Sequence, residues 1–434
     1  MWIRNIYWWL VAIVLVGVTL HTPIFVWLQT SFGVPAEAKA WKEALLMVTL
    51  VSALCMVAIR HRMKTFVKDP VVMIALGLLA WHGMLALFRP FSHATLAGLM
   101  IDTRYILAFL GVYSVVKLYP TMSHEVKKFA TIGAGIVVVF GVLQATILPI
   151  DSLQILGYSK QTIAPYMTID QDMRFIRINS TLRGPNPLGA YSVIVLAVAG
   201  ALLLRHWSTV RYRLSALAII AGSFLTLWRS YSRSAYIAAI VVVAWLGGSA
   251  LRALPRKTQL YAVLASLGLL ICGVLLLVSA SGYQTVIHHE SPVSSTTTKS
   301  DDQHAQSLES SARKVLAQPL GAGIGSTGSA SLTGNQPLIV ENWYLFVAHE
   351  AGWIGLGGFM MLLGAVLYQL WLRRQQAWVF GLLISGVALS VIGIVLPIWT
   401  DDTLAITWWG IAGALVATSW PTHATKIRRK KSSQ

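Results

Sequence analysis

Long apolar runs alternate with short basic stretches along most of the chain. Each run extends for about 20 residues, the length at which a helix crosses the hydrocarbon core of a bilayer. A helix also satisfies its backbone hydrogen-bonding groups internally, as a spanning segment must. The pattern predicts an all-α, polytopic integral membrane protein with about twelve spans in a single membrane domain, residues 1–434. The predicted spans are 7–28, 41–59, 71–88, 94–116, 129–149, 188–204, 214–228, 234–251, 259–280, 343–372, 377–397 and 404–420.

Composition agrees with this pattern and excludes a soluble nucleic-acid-binding protein. Of the 434 residues, 56% are hydrophobic and only 12% are charged, about half the charged fraction of a soluble domain. A net charge of +18 would suggest nucleic acid as the partner of a soluble protein. Here the charges cluster at the ends of apolar runs, so membrane lipids are the expected partners and no cofactor is predicted.

The distribution of basic residues predicts the orientation. With a cytoplasmic N-terminus, 21 of the 34 lysines and arginines fall in cytoplasmic segments, as the positive-inside rule requires. Both termini are therefore predicted to be cytoplasmic, in a multi-pass protein of the inner membrane. The first apolar run is too long for a signal peptide and is interpreted as a span. The basic tail, residues 421–434, is expected to lie against anionic lipid head groups.

Two outer segments, 150–187 and 281–342, are too long to be simple connectors. The composition of 291–303 is typical of disorder. Residues 304–318 have helical spacing that places apolar side chains, including Leu308 and Val315, on one face. We expect this segment to be a short helix at the outer membrane surface.

Arginines on the outer side call for an explanation, because short cationic loops usually lie inside. Arg174, Arg177 and Arg183 fall in RFIRINSTLRGPNPLGAY, and Arg229 and Arg233 fall in WRSYSRSAY. Guanidinium groups bind phosphate with two parallel hydrogen bonds, so several converging arginines would form a site for a lipid-linked diphosphate. The alternative is that each reaches a lipid phosphate. That alternative is favoured for Arg174 and Arg229.

Four segments resemble the O-antigen ligase and polymerase superfamily of membrane glycosyltransferases. They are RINSTLRGPNPLGAY, SRSAYIA, QPLGAGIGSTG and ENWYLFVAHEAGWIG, in the family's order and all on the predicted outer face. The positions that match in spacing are Arg177, Pro185, Asn186, Gly189, Arg233, Asn342, Leu345, Glu350, Gly352 and Gly355.

The resemblance implies a GT-C-like, metal-independent inverting glycosyltransferase. The donor would be an undecaprenyl-diphosphate-linked glycan, used on the outer face of the membrane. Arg177 and Arg233 would hold the donor diphosphate, with Asn186 in a supporting role. Arg183, where typical members have no arginine, would add charge near the diphosphate or pair with Glu341.

One departure from the family pattern concerns the general base. Family ligases carry histidine immediately before the asparagine, and this chain has Glu341 there. A carboxylate can also accept the acceptor's proton if its surroundings suit its pKa. Glu341 is therefore the candidate base, with Asn342 orienting it or the acceptor. Two alternatives stay open: Glu341 caps the following helix, or His304 is the base.

Other polar residues have weaker signals. Asp102 and Arg104 lie within a span, where ionisable groups are functional candidates by default, and Arg104 is assigned a supporting role. Equally, each could pair with another helix. Asp401 and Asp402 are expected to be solvated, and His349 to be packed. The sequence His288-His289-Glu290 does not have the spacing of a metal site, so no metal is predicted.

Two classes of function compete. The first is glycan transfer to a glycolipid, another glycan or a protein, and the residues do not choose among these acceptors. The second is transport, by a glycan-lipid flippase, because twelve spans suit both. Transporters tend to place binding groups near the bilayer midplane, whereas the unusual charges here lie at the outer interface. This placement favours the enzyme.

Overall fold

The computed structural model describes residues 2–88, 92–169, 171–205, 210–252, 300–332 and 337–418, without the side chains of 300–307. Within these ranges the chain is mostly helical. The α-helices are α1 Trp2–Phe32, α2 Trp41–Ile59, α3 Met63–Val67, α4 Pro70–Leu87, α5 His93–Leu118, α6 Met122–Thr146, α7 Pro185–Arg205, α8 Val210–Ser230, α9 Arg233–Leu251, α10 Ser300–Ala317, α11 Gly328–Ser331, α12 Trp343–Leu372, α13 Ala377–Ile392 and α14 Asp402–Ala417. The 3₁₀ helices are Ala36–Ala40, Ser152–Leu156 and Ile398–Thr400.

The long helices are those of a polytopic membrane protein. Within the described ranges, nine helices are long and apolar enough to cross a membrane, and α13 and α14 are shorter apolar helices. Eleven of the predicted spans thus coincide with a helix, which confirms the all-α membrane class. The ninth span, 259–280, lies outside the described residues, as do the 291–303 segment, the His288-His289-Glu290 sequence and the basic tail. The number of crossings and their orientation stay predictions.

The centre of the bundle is the pair α5 and α14. Nearly every residue of α14 is buried, as is most of α5. The two helices approach closely at Gly413, where an added Cβ would lie 2.4 Å from the carbonyl oxygen of Phe109. Small residues allow such close packing where lipid supplies no hydrophobic drive between helices. Around this contact Tyr105, Phe109 and Trp409 pack ring against ring.

The two ends of the bundle differ. We call the end that carries residues 147–184, 318–342 and 393–401 the loop end. At the opposite end the turns within the described ranges are short, and arginines bind exposed backbone carbonyls there. Arg60 donates to the carbonyl of Leu118 at 3.2 Å, and Arg205 donates to that of Arg374 at 3.0 Å. Cations at helix C-termini satisfy free carbonyl groups in this way.

The first long loop contains a β-hairpin, which the all-α prediction did not include. Strands β1 Met167–Ile169 and β2 Asp172–Arg177 pair antiparallel, with Met167 opposite Arg177. The strands have only three and six residues, and too few positions alternate to produce a clear signal in the sequence. The hairpin ends at Arg177, and therefore positions this residue.

The span predicted over 343–372 is two helical segments joined by a kink. Gly352 has φ 68° and ψ −174°, which breaks the helix inside α12. The segment 318–328 fills the break: the N–H of Gly323 donates to the carbonyl of Glu350 at 3.1 Å, and the N–H of Trp353 donates to that of Pro319 at 2.9 Å. The exposed backbone groups are thereby satisfied inside the protein, as the membrane environment requires.

Candidate functional site

A cavity of about 600 Å³ lies at the loop end, between the hairpin, α10 and three helix starts. Part of its wall is apolar and comes from Val340, Leu345 and residues 394–396. The polar side chains that line it are Arg177, Asn186, Tyr231, Ser232, Arg233, Ser234, Ser311, Glu341 and Asn342. The structure therefore brings together two of the three predicted donor-binding arginines and both candidate catalytic residues.

Three helices begin at the wall of this cavity. Asn186 lies in the first turn of α7, Arg233 is the first residue of α9, and Asn342 is the N-cap of α12. The start of a helix presents free N–H groups and the positive end of the helix dipole. Three such ends together with two guanidinium groups favour an anionic ligand.

Arg177 is held by the loop end of two helices. Its Nε donates to the carbonyl of Ser230, the last residue of α8, at 2.8 Å. One terminal nitrogen donates to Oδ1 of Asn186 at 2.6 Å. Burial lowers the pKa of Arg177 to about 10, so the group stays charged at neutral pH. A guanidinium has five N–H donors, and these two bonds leave donors for an anion in the cavity.

A close contact between helices brings Arg177 and Arg233 to the same wall. Gly189 in α7 packs against the turn between α8 and α9, where an added Cβ would lie 2.8 Å from Ala235 Cβ and 2.9 Å from Ser230 Oγ. Any larger residue would push the start of α7 away from the start of α9. This close contact explains the glycine at position 189, which the sequence showed only as a match in spacing.

Asn342 caps α12 and also holds the opposite wall. Its Oδ1 accepts the N–H of Leu345 at 2.9 Å, and its Nδ2 donates to the carbonyl of Ile394 at 2.6 Å. The N-cap position, which one alternative gave to Glu341, is thus occupied by Asn342. Glu341 is half-buried at the cavity wall, one residue before the helix.

The other arginines of the predicted cluster lie elsewhere. Arg183 is exposed and outside the cavity lining, within electrostatic reach of Lys39 and Asp401. Arg174 pairs with Asp172 on the same strand, with 2.7 Å between the closest nitrogen and oxygen. Sequence proximity placed Arg174 and Arg183 together with Arg177, but the strand ends at Arg177 and the chain then turns away before α7 begins.

A second buried polar region surrounds the kink in α12. Glu350 accepts the backbone N–H groups of Gly325 and Thr327 at 2.8 and 2.9 Å. Its carboxyl group also lies against that of Asp102 in α5. Neither carboxyl group lines the cavity. Glu350 therefore acts as an anchor for the glycine-rich segment 318–328, a role that the spacing of the motif alone did not reveal.

Arg104 belongs to a buried ionic cluster at the loop end. Its Nε donates to Glu43 in α2 at 2.6 Å, and a terminal nitrogen donates to the carbonyl of Thr400 at 3.0 Å. Lys42 lies 3.2 Å from Asp402, and His21 lies 3.5 Å from the same carboxylate. Arg104 thus pairs with another helix, as one of the two alternatives had it, and it does not line the cavity.

The expectation that Asp401 and Asp402 are solvated is wrong. Asp401 is buried, and its carboxylate caps α14 by accepting the N–H of Leu404 at 3.0 Å. Asp402 pairs with Lys42, and its side chain is only 15% exposed. The sequence indicated a short polar turn, but this turn packs between α1, α2 and α5. Burial, and secondarily the charge of Asp402, raises the pKa of Asp401 to about 6.

The remaining candidates have simple placements. His349 is buried inside the bundle, as expected for a packed histidine. The helix α10 includes residue 304, but the side chain of His304 is outside the described part. Among the residues that the structure describes, no group of three His, Cys, Asp or Glu side chains is placed to hold a metal ion.

No family model matches the sequence, and no curated protein matches it.

Proposed function

We propose that the protein is a metal-independent inverting glycosyltransferase of the O-antigen ligase type. It transfers a glycan from an undecaprenyl-diphosphate donor to an acceptor on the outer face of the inner membrane, with the loop end outside. One observation carries the proposal: two arginines and a carboxylate, far apart in the sequence, line one cavity at the loop end. The resemblance of the four sequence segments supports it. The proposal includes a GT-C-like arrangement of the helices.

The charges of the cavity suit departure of a diphosphate. Arg177 and Arg233 bind the diphosphate, and their interaction strengthens as the bond from the anomeric carbon to the diphosphate oxygen breaks. Groups that stabilise developing charge in the transition state raise the rate itself. The helix starts at Asn186, Arg233 and Asn342 add to the same field.

Glu341 supplies the second part of the chemistry. It takes the proton from an acceptor hydroxyl as the oxygen attacks the anomeric carbon from the side opposite the leaving group. A new glycosidic bond forms, undecaprenyl diphosphate leaves with the electrons of the broken bond, and the configuration inverts. The acceptor is a glycolipid, another lipid-linked glycan or a protein hydroxyl.

The decisive test is Glu341→Gln in the purified protein, reconstituted with a lipid-linked glycan and acceptor. Glutamine keeps the size of the side chain but cannot accept the proton. Turnover should fall by roughly 10²–10⁴, the usual contribution of general base catalysis, while donor binding hardly changes. The matched control is Glu37→Gln, an exposed acid at the same end. Full turnover in Glu341→Gln would reject the general base and move attention to His304.

Metal independence is tested in the same assay. Activity should survive chelation with EDTA, because guanidinium groups take the charge-stabilising role that Mg²⁺ has in many transferases. Loss of activity on chelation, restored by added magnesium or manganese, would contradict the proposed class.

Transport of the same lipid-linked glycan is the second candidate. The observation that favours it is the buried ionic cluster of Lys42, Glu43, Arg104 and Asp402, since buried ionisable groups within spans often mark transport pathways. Its charges pair with one another, however, and it does not line the cavity. Liposomes that contain the protein decide between the two: the transporter moves the donor across the bilayer without acceptor, whereas the enzyme makes product.

A further inference from the structure

A second polar cavity, of about 450 Å³, lies at the end of the bundle opposite the loop end. It is formed where the start of α1 meets the start of α6. Its lining consists of Arg4, Asn5, Trp8, Trp9, Met122 and Glu125, together with Thr121. The site proposed for glycan transfer lies at the other end, so nothing in that proposal uses this cavity.

One side of the cavity suits a phosphate. Arg4 lies in the first turn of α1, and Thr121 directly precedes α6, so one guanidinium group and the positive ends of two helix dipoles lie beside the same space. The first three N–H groups of α6 donate to the carbonyls of residues 119–121, so α6 adds its dipole and not free hydrogen-bond donors. The N-terminal ends of helices attract anions. Arginine adds bidentate hydrogen bonding to phosphate oxygens. The guanidinium group of Arg4 and the positive ends of two helices therefore make this side suitable for a phosphate.

The other side suits an ammonium group. Glu125 is half-buried, and its Oε2 accepts a hydrogen bond from the indole of Trp8 at 2.8 Å. This bond fixes the carboxylate at the cavity wall, and a carboxylate has acceptor sites to spare. The rings of Trp8 and Trp9 meet edge to face with 4.8 Å between their centroids. Aromatic rings beside a carboxylate attract a cation.

The position of the cavity indicates that the phosphate and the ammonium group belong to one lipid head group. The helices α1 and α6 are both long and apolar enough to cross a membrane, and the cavity lies at their first turns. Lipid head groups are found at that level, and tryptophans are enriched there. Trp9 is 61% exposed and Ile6 is 52% exposed, so apolar surface continues from the cavity toward the acyl region.

We propose that this cavity binds the head group of a zwitterionic glycerophospholipid with a primary ammonium, phosphatidylethanolamine. Arg4 donates to the phosphate, which the positive ends of the two helix dipoles also attract, and Glu125 accepts hydrogen bonds from the ammonium. The carboxylate disfavours an anionic glycerol head group. A trimethylated ammonium has no N–H group to donate, so phosphatidylcholine binds more weakly.

The test is native mass spectrometry of the full-length protein in detergent. It is offered an equimolar mixture of phosphatidylethanolamine, phosphatidylcholine and phosphatidylglycerol with identical acyl chains. Phosphatidylethanolamine should be retained in preference to the other two. Glu125→Gln should lower its preference over phosphatidylglycerol by about ten-fold, as expected for a charge-assisted hydrogen bond. Arg4→Gln should instead weaken all three lipids, which share the phosphate.

Two controls make the result specific. Glu37→Gln removes an exposed acid at the other end of the bundle and should leave the lipid preference unchanged. Glutamine at position 125 can still accept the hydrogen bond from Trp8, and an unchanged melting temperature checks that the variant is folded. Water-soluble glycerophosphoethanolamine, which has no acyl chains, should not displace the bound lipid.

Three results would overturn the proposal. They are equal retention of the three lipids by the wild-type protein, equal preferences in Glu125→Gln and Glu37→Gln, and displacement by the soluble ester. The first two would show that Glu125 does not select the ammonium. The third would mean that the site takes a soluble phosphoethanolamine rather than a lipid.

Discussion

At the scale of single residues, Arg177 and Asn342 are each held at the cavity wall by two hydrogen bonds. Arg177 is bound by Ser230 and Asn186, and Asn342 links the start of α12 to the carbonyl of Ile394. Fixed charges lose little energy in rearranging around a ligand, which is the advantage of a preorganised site. Substitutions that keep the charge but lose the geometry should therefore be informative.

The first prediction at this scale concerns the guanidinium geometry. Arg177→Lys and Arg233→Lys should each lose most turnover, because an ammonium group cannot form two parallel hydrogen bonds to a diphosphate. In Arg177→Lys the contacts to Ser230 and Asn186 are also lost. The measurement is kcat/KM for the lipid-linked donor in the reconstituted protein.

Arg174→Lys is the matched control for these variants. Arg174 lies on the same strand as Arg177, but it is exposed and pairs with Asp172. Its substitution should leave kcat/KM within about two-fold of the wild type, since surface ion pairs contribute little. Wild-type turnover in both lysine variants would reject the diphosphate clamp.

The second prediction at this scale concerns Asp401 and pH. Burial raises its pKa in the folded protein to about 6, above the usual value of about 3.9 in an unfolded chain. The folded state then binds more protons than the unfolded state between these values, so stability falls as pH rises from about 4 to about 6. Above that range the protein retains the cost of a buried charge.

Asp401→Asn should remove this cost, because asparagine stays neutral and also serves as an N-cap. At pH 7.5 we expect the unfolding free energy of the variant to exceed that of the wild type by roughly 1 kcal/mol or more, and its melting temperature to be higher. At pH 4.5 the two proteins should differ little. The measurement is thermal unfolding in detergent at both pH values. A lower melting temperature for the variant at pH 7.5 would show that the charge itself stabilises the fold.

At the scale of elements, the break in α12 determines how the loop end is built. Gly352 adopts a backbone conformation that only glycine takes readily, and the segment 318–328 enters the gap. That segment also packs on α5, where an added Cβ at Gly98 would lie 2.4 Å from the backbone nitrogen of Gly325. Three elements thus meet through glycines with no room for side chains.

Gly352→Ala should therefore be strongly destabilising. The new methyl group would lie 2.6 Å from the carbonyl oxygen of Pro319, at φ +68°. We expect a loss on the order of 3 kcal/mol, from backbone strain and overpacking together. Thermal unfolding of the purified variant measures it. Gly357→Ala, in the same helix with no atom within 4 Å of the added Cβ, is the matched control and should be neutral or stabilising. Equal melting temperatures for the two variants would exclude a structural role for the break.

Sequence patterns predicted the long helices but not the irregular elements. Apolar runs are long and their physical meaning is simple, so the spans in the described part were found at nearly the right boundaries. The hairpin at 167–177 was missed because a six-residue strand paired with a three-residue strand contains little periodic signal. The kink at Gly352 was missed because an apolar helix tolerates glycine, and only the loop that fills the break makes it stable.

At the scale of the whole molecule, the loop end concentrates the buried and half-buried charge. The candidate cavity, the ionic cluster around Arg104 and the carboxyl groups near the kink all lie there. At the opposite end, the turns that the structure describes are short, and arginines there bind helix carbonyls. The orientation of the protein therefore determines which side of the membrane the cavity faces. The distribution of basic residues predicts the outer side.

Labelling of single cysteines tests this orientation. In a background with Cys55 and Cys272 replaced by serine, Gln161→Cys places an exposed thiol at the loop end and Gln376→Cys places one at the opposite end. In intact spheroplasts a membrane-impermeant maleimide should label only the first, and after lysis it should label both. Labelling of position 376 in intact cells would reverse the topology and remove the proposed function.

The sequence by itself determined what depends on local chemistry. These features are the membrane class, the positions of the spans in the described part, and the approximate starts of the helices at residues 234 and 343. Each follows from the length of an apolar run or from the identity of neighbouring residues, and both can be read along the chain.

Tertiary structure alone decided which candidate side chains meet. Arg177, Arg233 and Glu341 come from the end of a strand, the start of α9 and the approach to α12. Packing at Gly189 and the bond from Asn342 to the carbonyl of Ile394 hold these elements at the cavity. Arg183 is closer to Arg177 in sequence than either of the others, yet it lies outside the cavity. Asp402, which was expected to be solvated in a polar turn, is instead paired with Lys42 inside the bundle. Distance along a chain does not determine distance in space, because helices and turns redirect the chain within a few residues.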